Sequence, residues 1–183
     1  MCQARCLPFG RPVSTMRFVL TRDKEGEYPM TALGIKVSNT AIRYAILEKS
    51  EFGTIVFRNQ NDNRLLFPRD LMTDSKKLVW FFDEFNRLID IHQDICKIVV
   101  KLPESGHTET NAIRLSHYLD AVVFLVAARH NPPIACMGVQ YRALHTSSSE
   151  VREFVCSKGI PKTLHYWNAA MGDAIAAALA GLE

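Results

Sequence analysis

Residues 33–47 read LGIKVSNTAIRYAIL, two apolar runs on either side of a Val-Ser-Asn-Thr break, and no other stretch narrows the possible folds so far. Serine and asparagine favour tight turns because their short side chains bond to neighbouring backbone, so the run reads as a strand, a turn and a returning strand. Strands are predicted over 32–37 and 41–48, and a third over 53–58 follows the turn chemistry of 50–53. Connections this short leave the three strands antiparallel, as a meander.

Beyond the meander the periodicity changes. Residues 60–74 are polar and hold Pro68, so a loop is expected there, ending at Thr73, Asp74 or Ser75, each able to cap a helix. Leu78, Phe81, Phe82, Phe85, Leu88 and Ile89 recur at separations of three or four, which predicts a helix over 76–92 with an aromatic stripe for the core. CKIVVK, at 96–101, is the continuous apolar run of a strand covered on both faces. A helix over 110–130 should bury Ile113, Leu119, Val122, Val123 and Val126 and stop at Pro132-Pro133. A further strand is predicted over 134–139, and two helices over 149–158 and 165–182, the first closed by Gly159. This order predicts an α/β domain: a mixed five-stranded sheet, three strands antiparallel and two parallel, with helices on both faces.

Composition sets bounds on the function. With 183 residues, 48% hydrophobic and 22% charged, the chain suits one globular domain. The longest apolar run, 119–128, is interrupted by Asp120 and is half the roughly 20 residues of a bilayer span, so no membrane segment is expected. Cys2, Cys6, Cys96, Cys136 and Cys156 lack zinc-type spacing; a reduced, cytoplasmic protein is expected, with the last three in the core or in helices. Net charge is +3, of which residues 1–29 carry +2, so the body has no bulk attraction for nucleic acid, though a local basic groove remains open to it. Those first residues hold Pro8, Pro12 and Pro29 without periodicity and read as an irregular tail, consistent with translation from an upstream methionine; Met30 opens the domain, 30–183.

LGIKVSNTAIRYAIL, then IVVKLPESG with the helix NAIRLSHYLDAVVFLVA, and finally NAAMGDAIAAALA together resemble the Holliday-junction resolvase group of the ribonuclease H-like superfamily. Within it the chain is similar to a bacterial family of small proteins with a degenerate version of the fold. An actin-like half-domain starts with the same order, but its first turn is a glycine-rich phosphate loop, and VSNTA has no glycine. The resemblance implies a nuclease site of four acidic residues. Carried over, the first-strand aspartate falls on Lys36, the glutamate ending the central parallel strand on Lys101, and the two final-helix aspartates on Ala170 and Asp173.

Two magnesium ions roughly 4 Å apart need several oxygen ligands, and an ammonium in that place repels them. The expectation is therefore a domain without cofactor or nuclease activity that acts as a nucleic-acid-binding or protein-interaction module. Lys36 and Lys101 can form an anion-binding spot, or one of them can pair with Asp173 in a buried salt bridge replacing the metal centre. The alternatives are a magnesium or manganese nuclease rebuilt from Asp173, Glu104 and Asp120, and a phosphate or nucleotide binder gripping with the two lysines.

Other candidates carry less. The six histidines include no i, i+4 pair, and Ser105 with His107 lacks a Gly-x-Ser-x-Gly frame, so both read as structural or loop residues. HTSSSE, 145–150, reads as a helix start through Ser147 or Ser148 and Glu150. Tyr141 and Arg142 follow the last strand, where edge packing competes with stacking on a base. A homodimer is expected through the helix 110–130, whose His117, Tyr118 and Phe124 are predicted to face outward. The alanine-rich last helix is expected to lie on its own sheet.

Overall fold

The computed structural model describes residues 29–183, apart from 72, 105, 107 and 164–166. The expectations for residues 1–28, for Ser105 and His107 and for the start of the last helix at His165 lie outside the described residues. The elements in chain order are β1 (Met30–Val37), β2 (Ala41–Lys49), β3 (Ile55–Phe57), β4 (Arg64–Leu66), α1 (Asp74–Ile91), β5 (Ile95–Lys101), α2 (Asn111–Arg129), β6 (Ala135–Val139), α3 (Val151–Ser157) and α4 (Ala169–Gly181).

The sheet runs β3-β2-β1-β5-β6, with β4 also on β2. β1 and β2 pair antiparallel from Met30↔Lys49 to Val37↔Ile42, and Ser38 closes their turn by accepting from the Ala41 N–H and donating to the Ala41 carbonyl. β5 runs parallel to β1, and β6 parallel to β5. The expected mixed sheet is present with one strand more than the five predicted. Part of the 60–74 segment, read as a loop, forms β4 against the start of β2, while a shortened third strand holds its far end.

Between β3 and β4 the edge of β2 is bridged by a side chain. The Asn59 Oδ1 accepts from the Ile46 N–H at 2.6 Å, and its Nδ2 donates to the Tyr44 and Asp62 carbonyls. An amide side chain carries one acceptor and two donors, so here it substitutes for a strand's backbone. A three-residue strand joined through a side chain leaves no period-two pattern, which is why β4 is invisible in the sequence.

Alternation along the strands builds two cores. Leu33, Ile35, Ile42, Ile46, Ile98 and Val100 meet α1 and α2, while Ala32, Ala45, Leu47 and Val99 meet α3 and α4. α4 lies on its own sheet as expected, and very closely: a Cβ on Gly34 would stand 2.0 Å from the Ala174 carbonyl oxygen. Thr73, Thr110 and Asn168 cap α1, α2 and α4 through their side chains. α3 begins at Val151, later than predicted, with Ser147 bonded to Glu150 ahead of it, and Gly159 follows it at φ 76°.

α2 is long and apolar enough to cross a bilayer by length and composition, a test that a buried core helix also passes. It serves here as the crossover between β5 and β6, with Leu115, Leu119, Val123 and Val126 in the core. Tyr118 is exposed as expected, but Phe124 packs partly against the core and Leu125 takes the outward place. Cys96 stands exposed on β5, correcting its assignment to the core or a helix; its thiol donates to the Thr31 carbonyl.

Candidate functional site

Open α/β sheets bind ligands outside the carboxyl ends of their strands. Lys101 is the last residue of β5 and Lys36 the penultimate residue of β1, one step beyond the Ile35↔Val100 pair. Strand register thus sets the two lysines side by side. Lys36 Nζ reaches the Lys101 carbonyl at 3.5 Å.

The two ammoniums have different surroundings. Lys101 is 1% exposed and fully engaged: Nζ donates to Glu104 Oε1 at 2.7 Å and to the Leu102 carbonyl at 2.8 Å, and lies 3.7 Å from the centre of the Tyr141 ring. Glu104 also accepts from the Tyr141 N–H at 2.9 Å, and Gln140 Nε2 donates to the Pro103 carbonyl. The chain leaving β6 therefore stitches down the loop that leaves β5. Burial pushes the Glu104 carboxyl up, but the bonds from Lys101 and Tyr141, with the charges of Lys101 and Lys36, hold it below its ordinary value.

Lys36 is half-buried and, among the described residues, has only the long bond to a carbonyl. Burial lowers its pKa; Asp173, Asp120 and Glu104 oppose that shift, and Lys101 adds to it. The predicted salt bridge to Asp173 is absent among the described residues, because Lys101 has turned to Glu104 and Asp173 accepts instead from the Tyr141 hydroxyl at 2.7 Å. Burial raises the Asp173 carboxyl, while Tyr141 and the two lysines pull it down. Asp120, on α2, is 4% exposed, and neither of its oxygens has a hydrogen-bond partner among the described residues. Burial pushes it up to about 7 against the pull of Lys36 and Lys101.

Lys36, Lys101, Glu104, Asp120 and Asp173 thus meet electrostatically at one end of the sheet, with Ala170 half-buried in the first turn of α4 and offering no ligand atom. Tyr141 is the member whose role was misjudged: it joins Lys101, Glu104 and Asp173, partners 32 to 40 positions away in the chain, and nothing local marks it. Register also reveals more cations. Arg43 lies opposite Lys36, and Arg64 opposite Arg43.

These side chains do not fit the two-magnesium centre that the sequence resemblance implies. Glu104 is committed to Lys101, two ammoniums stand at the strand ends, and no group of three His, Cys, Asp or Glu among the described residues is placed to hold a metal ion.

The sheet order, crossovers and helix layers are those of the ribonuclease H-like class. Solved structures of Holliday-junction resolvases share this fold. Thermus thermophilus RuvC superposes with a TM-score of 0.64, and its complex with a Holliday junction substrate with 0.63; identity is 12% in both, covering 82% of this chain and 92% and 91% of those chains. The yeast mitochondrial Holliday junction resolvase Ydc2 superposes with a TM-score of 0.55 at 12% identity, over 82% of this chain and 78% of that one. No protein-family model and no curated protein sequence matches the chain.

Proposed function

We propose that this ribonuclease H-like domain binds nucleic acid through its phosphates, without a metal ion and without cutting it. The observation that carries this reading is the unequal pair of ammoniums at the strand ends. Lys101 is consumed by Glu104, Leu102 and Tyr141, whereas Lys36 keeps exposure and one weak bond, so its charge can turn to an incoming anion. A phosphate replacing water at Lys36 gains a charge-assisted hydrogen bond. Structurally similar proteins are resolvases, one of them solved with a Holliday junction, which supports nucleic acid as the partner. An active nuclease rebuilt from Asp173, Glu104 and Asp120 would first have to break the Lys101–Glu104 pair, which argues against it.

Single-stranded, duplex, junction and hybrid nucleic acids, titrated with and without magnesium or manganese and scored for binding and cleavage, test the proposal. Expected is salt-sensitive binding that needs no metal and is weakened by Lys36→Ala, with substrates left intact. Metal-dependent cleavage lost in Asp173→Ala would replace this reading with the rebuilt nuclease, and absence of binding to every substrate would refute it.

A further inference from the structure

Of the three carboxylates at the site, Glu104 and Asp173 have donors and Asp120 has none among the described residues. It projects from α2, which packs on the sheet face opposite α4, yet its charge reaches Lys36 and Lys101 at the strand ends. Ionised, a carboxylate so buried and without a donor is costly, and protonation relieves that cost. An entering anion changes the balance further. With Asp120 ionised, three carboxylates compete for Lys36; with Asp120 protonated only two do, and Lys36 faces the anion with one competitor fewer.

We infer that the anion site at Lys36 is proton-linked: an oxyanion ligand binds there with uptake of one proton from solvent by Asp120, so the site grips on the acid side of neutrality and releases above it. The inference rests on the reading of Lys36 as an anion contact. The charges acting on Asp120 are those of Lys36 on β1 and Lys101 on β5; α1 and β6, which also pack against α2, bring none among the described residues. Asp173 on α4, Glu104 after β5 and Tyr141 after β6 act on the same two lysines. The ligand chemistry is a phosphate-like oxyanion, either a phosphodiester of a nucleic-acid strand or a free inorganic ion.

Two probes that do not titrate near neutrality, a single-stranded oligonucleotide and sulfate, separate these sources. Binding of each to the full chain is measured by calorimetry across pH 7 in buffers of different protonation enthalpy, which counts the protons taken up. Expected is an affinity that falls by up to tenfold per pH unit above about 7, with fractional proton uptake at neutrality, and a flat profile without uptake in Asp120→Asn. Linkage with the oligonucleotide alone identifies a polymer backbone, and linkage with both probes identifies any oxyanion. A flat wild-type profile, or uptake that persists in Asp120→Asn, overturns the inference while leaving the anion site intact; no binding of either probe at any pH overturns both. Should the variant not fold, the protonated-carboxyl infrared band of the wild type just above pH 7 decides instead: it should grow on adding oligonucleotide, and an unchanged band refutes the linkage.

Discussion

At the scale of single residues, the site is governed by which charge finds a partner. Lys101 is held by Glu104, Leu102 and Tyr141 while Lys36 makes one long bond among the described residues, so truncation should separate them. Lys101→Met removes a buried pair with Glu104 and should cost about 2 kcal/mol or more of stability. Lys36→Ala should cost under about 1 kcal/mol, since only a long bond is lost; urea titration of both variants checks the difference. Asp120 provides a pH signature in the free protein. Its folded pKa of about 7 lies above the ordinary 3.8, so the folded state holds the proton more firmly than the unfolded chain. The associated stability is fully present below about pH 4 and is lost as pH rises through 7, amounting to roughly 4 kcal/mol at most. Asp120→Asn should therefore melt roughly 5 °C or more above wild type on the alkaline side of 7 and much closer to it in acid, read by calorimetric scans at both ends. Equal shifts at both ends would show that burial does not hold the proton on Asp120.

At the scale of elements, most of the architecture rests on local signals. The stripe Phe81, Phe85, Leu88 and Ile89 buries one side of α1, and Thr73 caps it as its position suggests. β4 depends on something else, the Asn59 amide spanning the gap between two short edge strands. Asn59→Ala leaves the Ile46 N–H and the Tyr44 carbonyl without that partner and should cost about 2–4 kcal/mol, with earlier hydrogen exchange at Ile46. On α2, Tyr118 and Leu125 stand seven residues apart, 49% and 48% exposed, where a helix facing water would favour charge. We expect a homodimer through this stripe. Light scattering at micromolar protein should give twice 20.7 kDa for the wild type and the single mass for Tyr118→Glu combined with Leu125→Glu. A wild-type mass of 20.7 kDa would reject the dimer, and an unaffected dimer would reject the stripe.

At the scale of the whole molecule, a ribonuclease H-like sheet is kept while ammoniums stand at the ends of its two central parallel strands. The Lys101–Glu104–Tyr141–Asp173 network joins strand, loop and helix there, as a metal centre otherwise could. The melting temperature should accordingly be insensitive to millimolar magnesium or to chelator, because a ligand that does not bind the folded state cannot stabilise it. Replacing Lys36→Asp, Lys101→Glu and Ala170→Asp together, with Asp173 retained, should create measurable magnesium affinity by calorimetry at the expense of the native network. A wild-type melt that rises with magnesium would show that the chain already holds the ion.

The order of elements apart from β4, and most of the helix faces, are local properties of the chain, since periodicity, caps and turn residues act within a few positions of one another. They could be read from LGIKVSNTAIRYAIL, CKIVVK and the helical stripes without knowing what lies beside them. Which lysine is buried, which carboxylate lacks a donor and what stands across from Lys36 were decided by tertiary structure alone. The energy of a buried charge depends on atoms brought to it by the fold, here across 65 positions between Lys36 and Lys101 and 32 between Tyr141 and Asp173, and no local pattern encodes such a meeting.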